Sequence, residues 1–206
     1  MGKLIAGTFV SLDGVMQAPG GPDEDRSGGF EQGGWTFGYW NDEMVPVMEE
    51  QTQRADILLL GRKTYDIFAG HCPRVSDDDP VAAKLKRMPK YVASNTVDRL
   101  DWNHSTLVRG DQLKSEVARL KAQPNTEIQV TGSCGLLQTL IREDLVDRYA
   151  LWVFPVVLGS GKRLFGDGAM PAGFRLAGSR AFGSGVVVLE YERAGEIKAG
   201  SFALDQ

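Results

Sequence analysis

From residue 3 onward the chain alternates short apolar runs with stretches in which apolar residues recur every three or four positions. The runs Lys3–Phe9, Ile57–Leu60, Lys90–Ala93, Ser105–Val108, Glu127–Val130 and Tyr149–Leu158 predict strands. Ile57-Leu58-Leu59-Leu60 is continuous rather than alternating, the pattern of a strand covered on both faces. Tyr149–Leu158 is apolar enough to predict a central strand. A helix is predicted over Asp42–Arg54, where Met44, Val47 and Met48 share a face, and another after Gly61, with Tyr65 and Phe68 three apart and Gly70 as its stop. Pro80–Met88 opens on its proline, Gln112–Ala122 spaces Leu113, Val117 and Leu120 helically, and Leu136–Arg142 completes the set. Phe174–Ala181 and Val186–Tyr191 predict a closing hairpin around Gly183-Ser184-Gly185. Strands alternating with helices and ending in antiparallel strands indicate one α/β domain with a mixed sheet.

Met16–Tyr39 breaks the alternation. It is dense in glycine and has Pro19, Pro22 and the acids Asp23–Asp25, yet it also carries Phe30, Trp35, Phe37 and Tyr39, with Trp40 next. That aromatic content is too high for a disordered linker, and long ordered loops are usually functional. The loop is expected either to fold over a pocket or to form a dimer contact. Composition narrows the partners. With 206 residues the chain can bury a substantial core, and its 23 basic residues against 27 acidic ones are scattered, which argues against nucleic acid. No apolar stretch approaches a membrane span, and the run after Met1 reaches Ser11 and Asp13 too soon for a signal peptide. Cys72 and Cys134, with His71 and His104, have no metal-ligand spacing. A soluble cytoplasmic protein with reduced thiols and no metal site is expected.

Three predicted strands end alike. Leu60 runs into Gly61-Arg62-Lys63-Thr64, Ala93 into Ser94-Asn95-Thr96, and Val130 into Thr131-Gly132-Ser133-Cys134-Gly135. In open α/β sheets ligands bind beyond the carboxyl ends of strands. Glycine turns and free N–H groups at helix starts suit a pyrophosphate there, while hydroxyls and cations suit a further phosphate. Neither the Rossmann fingerprint nor a Walker loop is present. The residues point to an anionic ligand spanning all three ends, against a plain scaffold with solvated turns.

Gly61-Arg62-Lys63-Thr64 followed by Tyr65 resembles the nucleotide-binding motif of dihydrofolate reductases, and Ser94-Asn95-Thr96 resembles their site for the adenosine 2′-phosphate. Ser11-Leu12-Asp13-Gly14, Leu145-Val146-Asp147, and Phe154–Gly161 with Leu164-Phe165 are more specifically similar to the reductase domain of bacterial riboflavin biosynthesis, above all to its stand-alone relatives. The resemblance covers most of the chain in order. It implies a dihydrofolate reductase-like three-layer α/β/α fold over residues 1–206, with a mixed, mostly parallel central sheet, antiparallel C-terminal strands and a glycine-rich insertion at 17–40. It further implies an NADPH-dependent reductase of a pterin- or ribosylaminopyrimidine-like substrate, and a homodimer. Carried over residue by residue, the cofactor would be held by Gly61, Arg62, Lys63, Thr64, Ser94, Asn95, Thr96, Gly132, Ser133, Cys134, Gly135 and Leu136.

Two departures stand out. Gly132-Ser133 replaces the usual pair of glycines, and Thr131 replaces the glutamate that riboflavin reductases place before that turn. Asp13, Asp42 and Glu43 are the acids expected near the substrate, Asp13 also reading as a turn-forming Asp-Gly and the other two as first-turn helix acids. Trp35, Tyr39 and Trp40 read as stacking surfaces or as core. The alternative to a reductase is a non-catalytic dimeric nucleotide-binding protein that keeps the fold, and Thr131 favours it. The apolar Trp152–Leu158 region and the C-terminal strands are the expected dimer surface.

Overall fold

The computed structural model describes residues 1–166 and 169–202. Eight strands form one sheet: β1 (Lys3–Ser11), β2 (Ile57–Gly61), β3 (Lys90–Ala93), β4 (Ser105–Val108), β5 (Glu127–Thr131), β6 (Arg148–Phe154), β7 (Gly173–Ala181) and β8 (Val187–Gly195). Their order is β4-β3-β2-β5-β1-β6-β8-β7. Pairings from β4 across to β6 are parallel, and β8 runs antiparallel to both β6 and β7. Five α-helices cover the sheet: α1 (Val45–Arg54), α2 (Arg62–His71), α3 (Pro80–Arg87), α4 (Leu113–Lys121) and α5 (Cys134–Arg142).

The period-two alternation of each strand sorts its side chains to two faces. On one face Leu4, Ala6, Ile57, Leu59, Ile128 and Val130 pack against α4 and α5, where Val117, Leu120, Leu137 and Leu140 are fully buried. The opposite face is covered by α1, α2 and α3, and its apolar cover comes in two separate pieces. One gathers Trp152, Phe154, Met44 and Val47 over β6 and β8, and the other gathers Leu58, Leu60, Val92 and Tyr65 over β2 and β3. Between them β1 and β5 present Gly7, Gln129 and Thr131, where Gly7 is the register partner of Thr131. That interruption positions the site.

Local chemistry explains most element ends. The Asp79 carboxylate accepts from the Ala82 N–H at 2.8 Å and Pro80 opens α3, a side-chain N-cap with proline at the first position. β6 stops at Phe154 because Pro155 has no N–H to donate, short of the expected Leu158. Gly70 does not stop its helix: α2 continues to His71, and Gly70 keeps a negative φ. Asp42–Met44 forms a 3₁₀ turn ahead of α1 rather than its first turn. The helix expected from Leu136 begins two residues earlier, at Cys134, because Ser133 takes up the left-handed cap position. Trp152 and Phe154 are buried in the chain's own core, so in the expected dimer surface Val157 is the exposed apolar side chain of that stretch.

Lys90 is fully buried at the start of β3. Its ammonium donates to the carbonyls of Lys86, Met88 and Asn103 at 3.2, 2.8 and 3.1 Å and lies 4.2 Å from the centre of the Trp102 ring. It thereby ties the end of α3 to the loop before β4. Lys90→Met keeps the stem and removes the donor, and should destabilise the fold by about 1–3 kcal/mol for each carbonyl left without a partner. Thermal denaturation reads this directly. A melting temperature equal to wild type would mean that water replaces the ammonium.

Candidate functional site

The parallel strands β3, β2, β5 and β1 end side by side, and a cavity of about 1120 Å³ opens at those ends. Gly61 and Ala93 are register partners, so Arg62 and Ser94 each follow directly on the ends of adjacent strands. Of the twelve positions expected to hold the cofactor, Gly61, Arg62, Lys63, Thr64, Ser94, Asn95, Gly132, Ser133, Cys134, Gly135 and Leu136 all line this cavity. Thr96 stands behind them, its N–H donating to Ser94 Oγ at 3.2 Å.

The two helix starts that face the cavity are joined by one hydroxyl. Ser133 Oγ accepts from the Gly61 N–H at 3.0 Å and lies 2.5 Å from Thr64 Oγ1. To place it there, Gly132 and Ser133 both adopt positive φ, 61° and 62°. The conformation is open to glycine but costs a serine on the order of 1–3 kcal/mol. No side chain caps α2 or α5. Their first N–H groups, and the partial positive charge of each helix end, are therefore directed at the same cavity. Two such ends side by side form a cradle suited to an anion. No cis peptide occurs among the described residues, the Gly132–Ser133 bond included.

The cations around the rim are paired. Arg62 Nε lies 2.7 Å from both oxygens of Asp66, an exposed pair one helical turn apart. Such pairs are worth only about 0.3–0.5 kcal/mol, so Arg62 exchanges partners readily. Asp25 receives Lys63 and Lys162 at 2.9 and 2.5 Å and also the hydroxyl of Ser27. Burial alone would raise the Asp25 carboxyl, but Lys162, Ser27 and Lys63 outweigh it and hold the group well below the usual range. Asn95 Oδ1 accepts from the Gly110 N–H at 2.8 Å, and Arg109 grips the carbonyls of Ser94 and Val97, which fixes the rim around Ser94.

The glycine-rich loop is an ordered flap, and Met16–Asp25 forms one wall of the cavity. Gln17 is its hub. Its amide nitrogen donates to the carbonyls of Asp25 and Ser27, its oxygen accepts from the Lys162 N–H, and its own carbonyl accepts from the Trp35 indole. Trp35 packs edge-on against Phe154 at 5.4 Å, and Trp40 stacks on Trp152 at 5.8 Å. Trp35 is thus core, and Tyr39 packs on Phe154.

Asp13, Asp42 and Glu43 are absent from the cavity wall. Asp13 accepts from Ser11 Oγ at 2.6 Å and from the Leu158 and Gly159 N–H groups at 3.1 and 2.9 Å, holding the segment after β6 against the end of β1. The Ser11 hydrogen bond leads in lowering its carboxyl to about 2, with the two backbone donors assisting against burial. Glu43 accepts weakly from the Gly183 N–H at the β7–β8 turn, and Asp42 lies in the 3₁₀ turn before α1. Residues that the sequence did not mark as site residues do reach the cavity: Thr8, Phe9, Met48, Gln51, Gln129, Trp152 and Lys162. The alternation of β1, β5 and β6 carried a signal for Thr8, Phe9, Gln129 and Trp152, and nothing local marked Met48, Gln51 and Lys162 as site residues.

A mixed, mostly parallel sheet with a nucleotide-sized cavity across its strand ends defines the class: an α/β protein of dihydrofolate reductase-like fold. Within that class the chain belongs to the RibD C-terminal domain family, which it matches over residues 2–188. It is 34% identical over 194 residues to the uncharacterized protein YyaP of Bacillus subtilis (strain 168), covering 92% of this chain and 94% of that protein. Uncharacterized protein YwjB of the same organism is 29% identical over 194 residues, covering 93% and 98%. Among solved structures the chain is similar to a putative riboflavin biosynthesis protein from Shewanella sp. PV-4, with TM-score 0.67, 24% identity and coverage of 93% and 98%. It is also similar to a pyrimidine reductase-like protein from Corynebacterium diphtheriae, with TM-score 0.60, 13% identity and coverage of 94% and 92%. Among the described residues no helix is long and apolar enough to cross a membrane, and no cluster of ligand side chains could hold a metal ion.

A Cβ at Gly61 would lie 2.6 Å from Ser133 Oγ and 2.7 Å from its Cβ. Gly61→Ala should therefore push the two helix starts apart and weaken anion binding about tenfold or more, as read by calorimetry with a dinucleotide. Unchanged affinity would remove the cradle from consideration. A second expectation concerns acid. A carboxyl held at about 2 in the fold, against an ordinary 3.8, stabilises above pH 3.8 and loses that contribution as pH falls toward 2. Asp13→Asn should flatten the stability profile over that window, and a profile parallel to wild type would contradict it.

Proposed function

We propose that this protein is an NADPH-dependent reductase of a small heterocyclic substrate. The observation that supports the reading best is the convergence of two uncapped helix N-termini, through the Ser133 hydroxyl, on a cavity that continues over a bare stretch of sheet. The first N–H groups of α2 and α5 would take the pyrophosphate. Arg62 and Ser94, adjacent on the rim, would take the 2′-phosphate, with Asn95 beside them holding the Gly110 N–H. NADPH, when bound, supplies a hydride. The chain orients the acceptor against it, with the flap as one wall of the cavity. Among the described residues, the carboxylates lining the cavity are Asp23, Glu24 and Asp25, all on the flap, so the proton for a reduced C=N bond would come from water at the rim.

The lack of an acid on the sheet floor also favours the alternative of a non-catalytic nucleotide-binding protein. Turnover decides between them: consumption of NADPH with any member of a pterin and pyrimidine panel supports the reductase, and tight NADPH binding without turnover across the panel supports the alternative.

Arg62→Ala tests the cofactor assignment. A charge-assisted hydrogen bond is worth about 1.5–3 kcal/mol, so affinity for NADPH should fall about ten- to a hundredfold. NADH affinity should hardly change. Equal losses for the two cofactors would show that Arg62 does not read the extra phosphate.

A further inference from the structure

Gln51 is buried on α1, lines the cavity and has only half of its amide satisfied. The Trp152 indole N–H donates to Gln51 Oε1 at 3.0 Å. An indole nitrogen can only donate, so this contact fixes which end of the amide faces it. Gln51 Nε2 is thereby left as a buried donor without a hydrogen-bond partner among the described residues. Buried polar groups are nearly always satisfied, and one left bare at a cavity wall calls for an acceptor supplied from outside the chain. Trp152 itself stacks on Trp40 and on Phe182 at 5.8 and 5.9 Å and is buried, which restrains it from releasing the amide.

The surroundings narrow the acceptor. The sheet floor beneath α1 is made by Gly7, Phe9, Gln129, Thr131 and Trp152, with no charged side chain. A Cβ at Gly7 would already touch Gln129 Nε2 at 3.6 Å, and its absence leaves room for a flat group against β1 and β5. The cations that line the cavity are Arg62, Lys63 and Lys162, each paired with a carboxylate and none on this floor. We propose that Gln51 is a specificity-determining residue, whose Nε2 donates to a carbonyl oxygen of an uncharged, planar ring seated on this floor. The inference rests on the reductase reading for the place of the cofactor and concerns only the far end of the cavity.

Lumazine, a neutral bicyclic lactam, is a suitable probe, with binding read by quenching of tryptophan fluorescence and by calorimetry on protein saturated with NADP⁺. Gln51→Glu keeps an acceptor for the Trp152 indole and removes the donor. Gln51→Met removes both polar ends at similar volume, and covers the case in which the buried carboxylate impairs folding. Both variants should bind lumazine about tenfold or more weakly than wild type, with NADP⁺ affinity unchanged. Lumazine bound equally by wild type and both variants, or no lumazine binding to wild type, would overturn the proposal. Failure of wild type to bind NADP⁺ would instead count against the reductase reading, and lumazine titration of the cofactor-free protein would still decide the role of Gln51.

Discussion

The ligand end of this molecule depends on how closely β2 is allowed to approach the start of α5. Gly61 has no side chain, and the Ser133 hydroxyl fills the space that a side chain there would need while satisfying the Gly61 N–H. Because Thr64 Oγ1 shares the same hydroxyl, the first turn of α2 is set relative to the first turn of α5. Two helix dipoles of the same sign would otherwise repel at that distance, and the two hydrogen bonds at the Ser133 hydroxyl offset that repulsion. The left-handed backbone of Gly132 and Ser133 is the conformational cost of that junction.

The sheet divides the work between its faces. One face is sealed without interruption by α4 and α5 and carries the bulk of the core. The other is sealed only at its two ends, by the Trp152–Phe154 group and by the Leu58–Leu60 group. Small or polar side chains in between leave a floor that the protein does not cover itself. The stable face thus anchors strands whose opposite sides are free to carry function, a frequent solution in α/β proteins.

What was legible in the sequence follows the range of the interactions. β3 and β4 emerge with the boundaries read from pattern, because turn residues close them locally. The glycine and hydroxyl residues at the ends of β2, β3 and β5 were equally legible, since a strand-turn-helix junction declares its own chemistry. Asp13 was not. Its partners Leu158 and Gly159 lie 145 and 146 residues further along the chain, and nothing near Asp13 announces them. Gln51 was hidden for a related reason, because it matters only once α1 has docked on Trp152. Gly70 misled because a glycine in a helix is tolerated where no left-handed turn follows.

The flap around Gln17 has a weak point of a useful kind. Ser27 is tied to Asp25 and Lys162, and Phe30 is buried, but Gly28 and Gly29 between them adopt positive φ with open space where a side chain would be. Strain applied at these two residues has no packed neighbour through which to travel. Chain length can therefore change there independently of the cavity wall, and Gly28–Gly29 is the natural seam for carrying an epitope or a fluorescent reporter at the rim of the site.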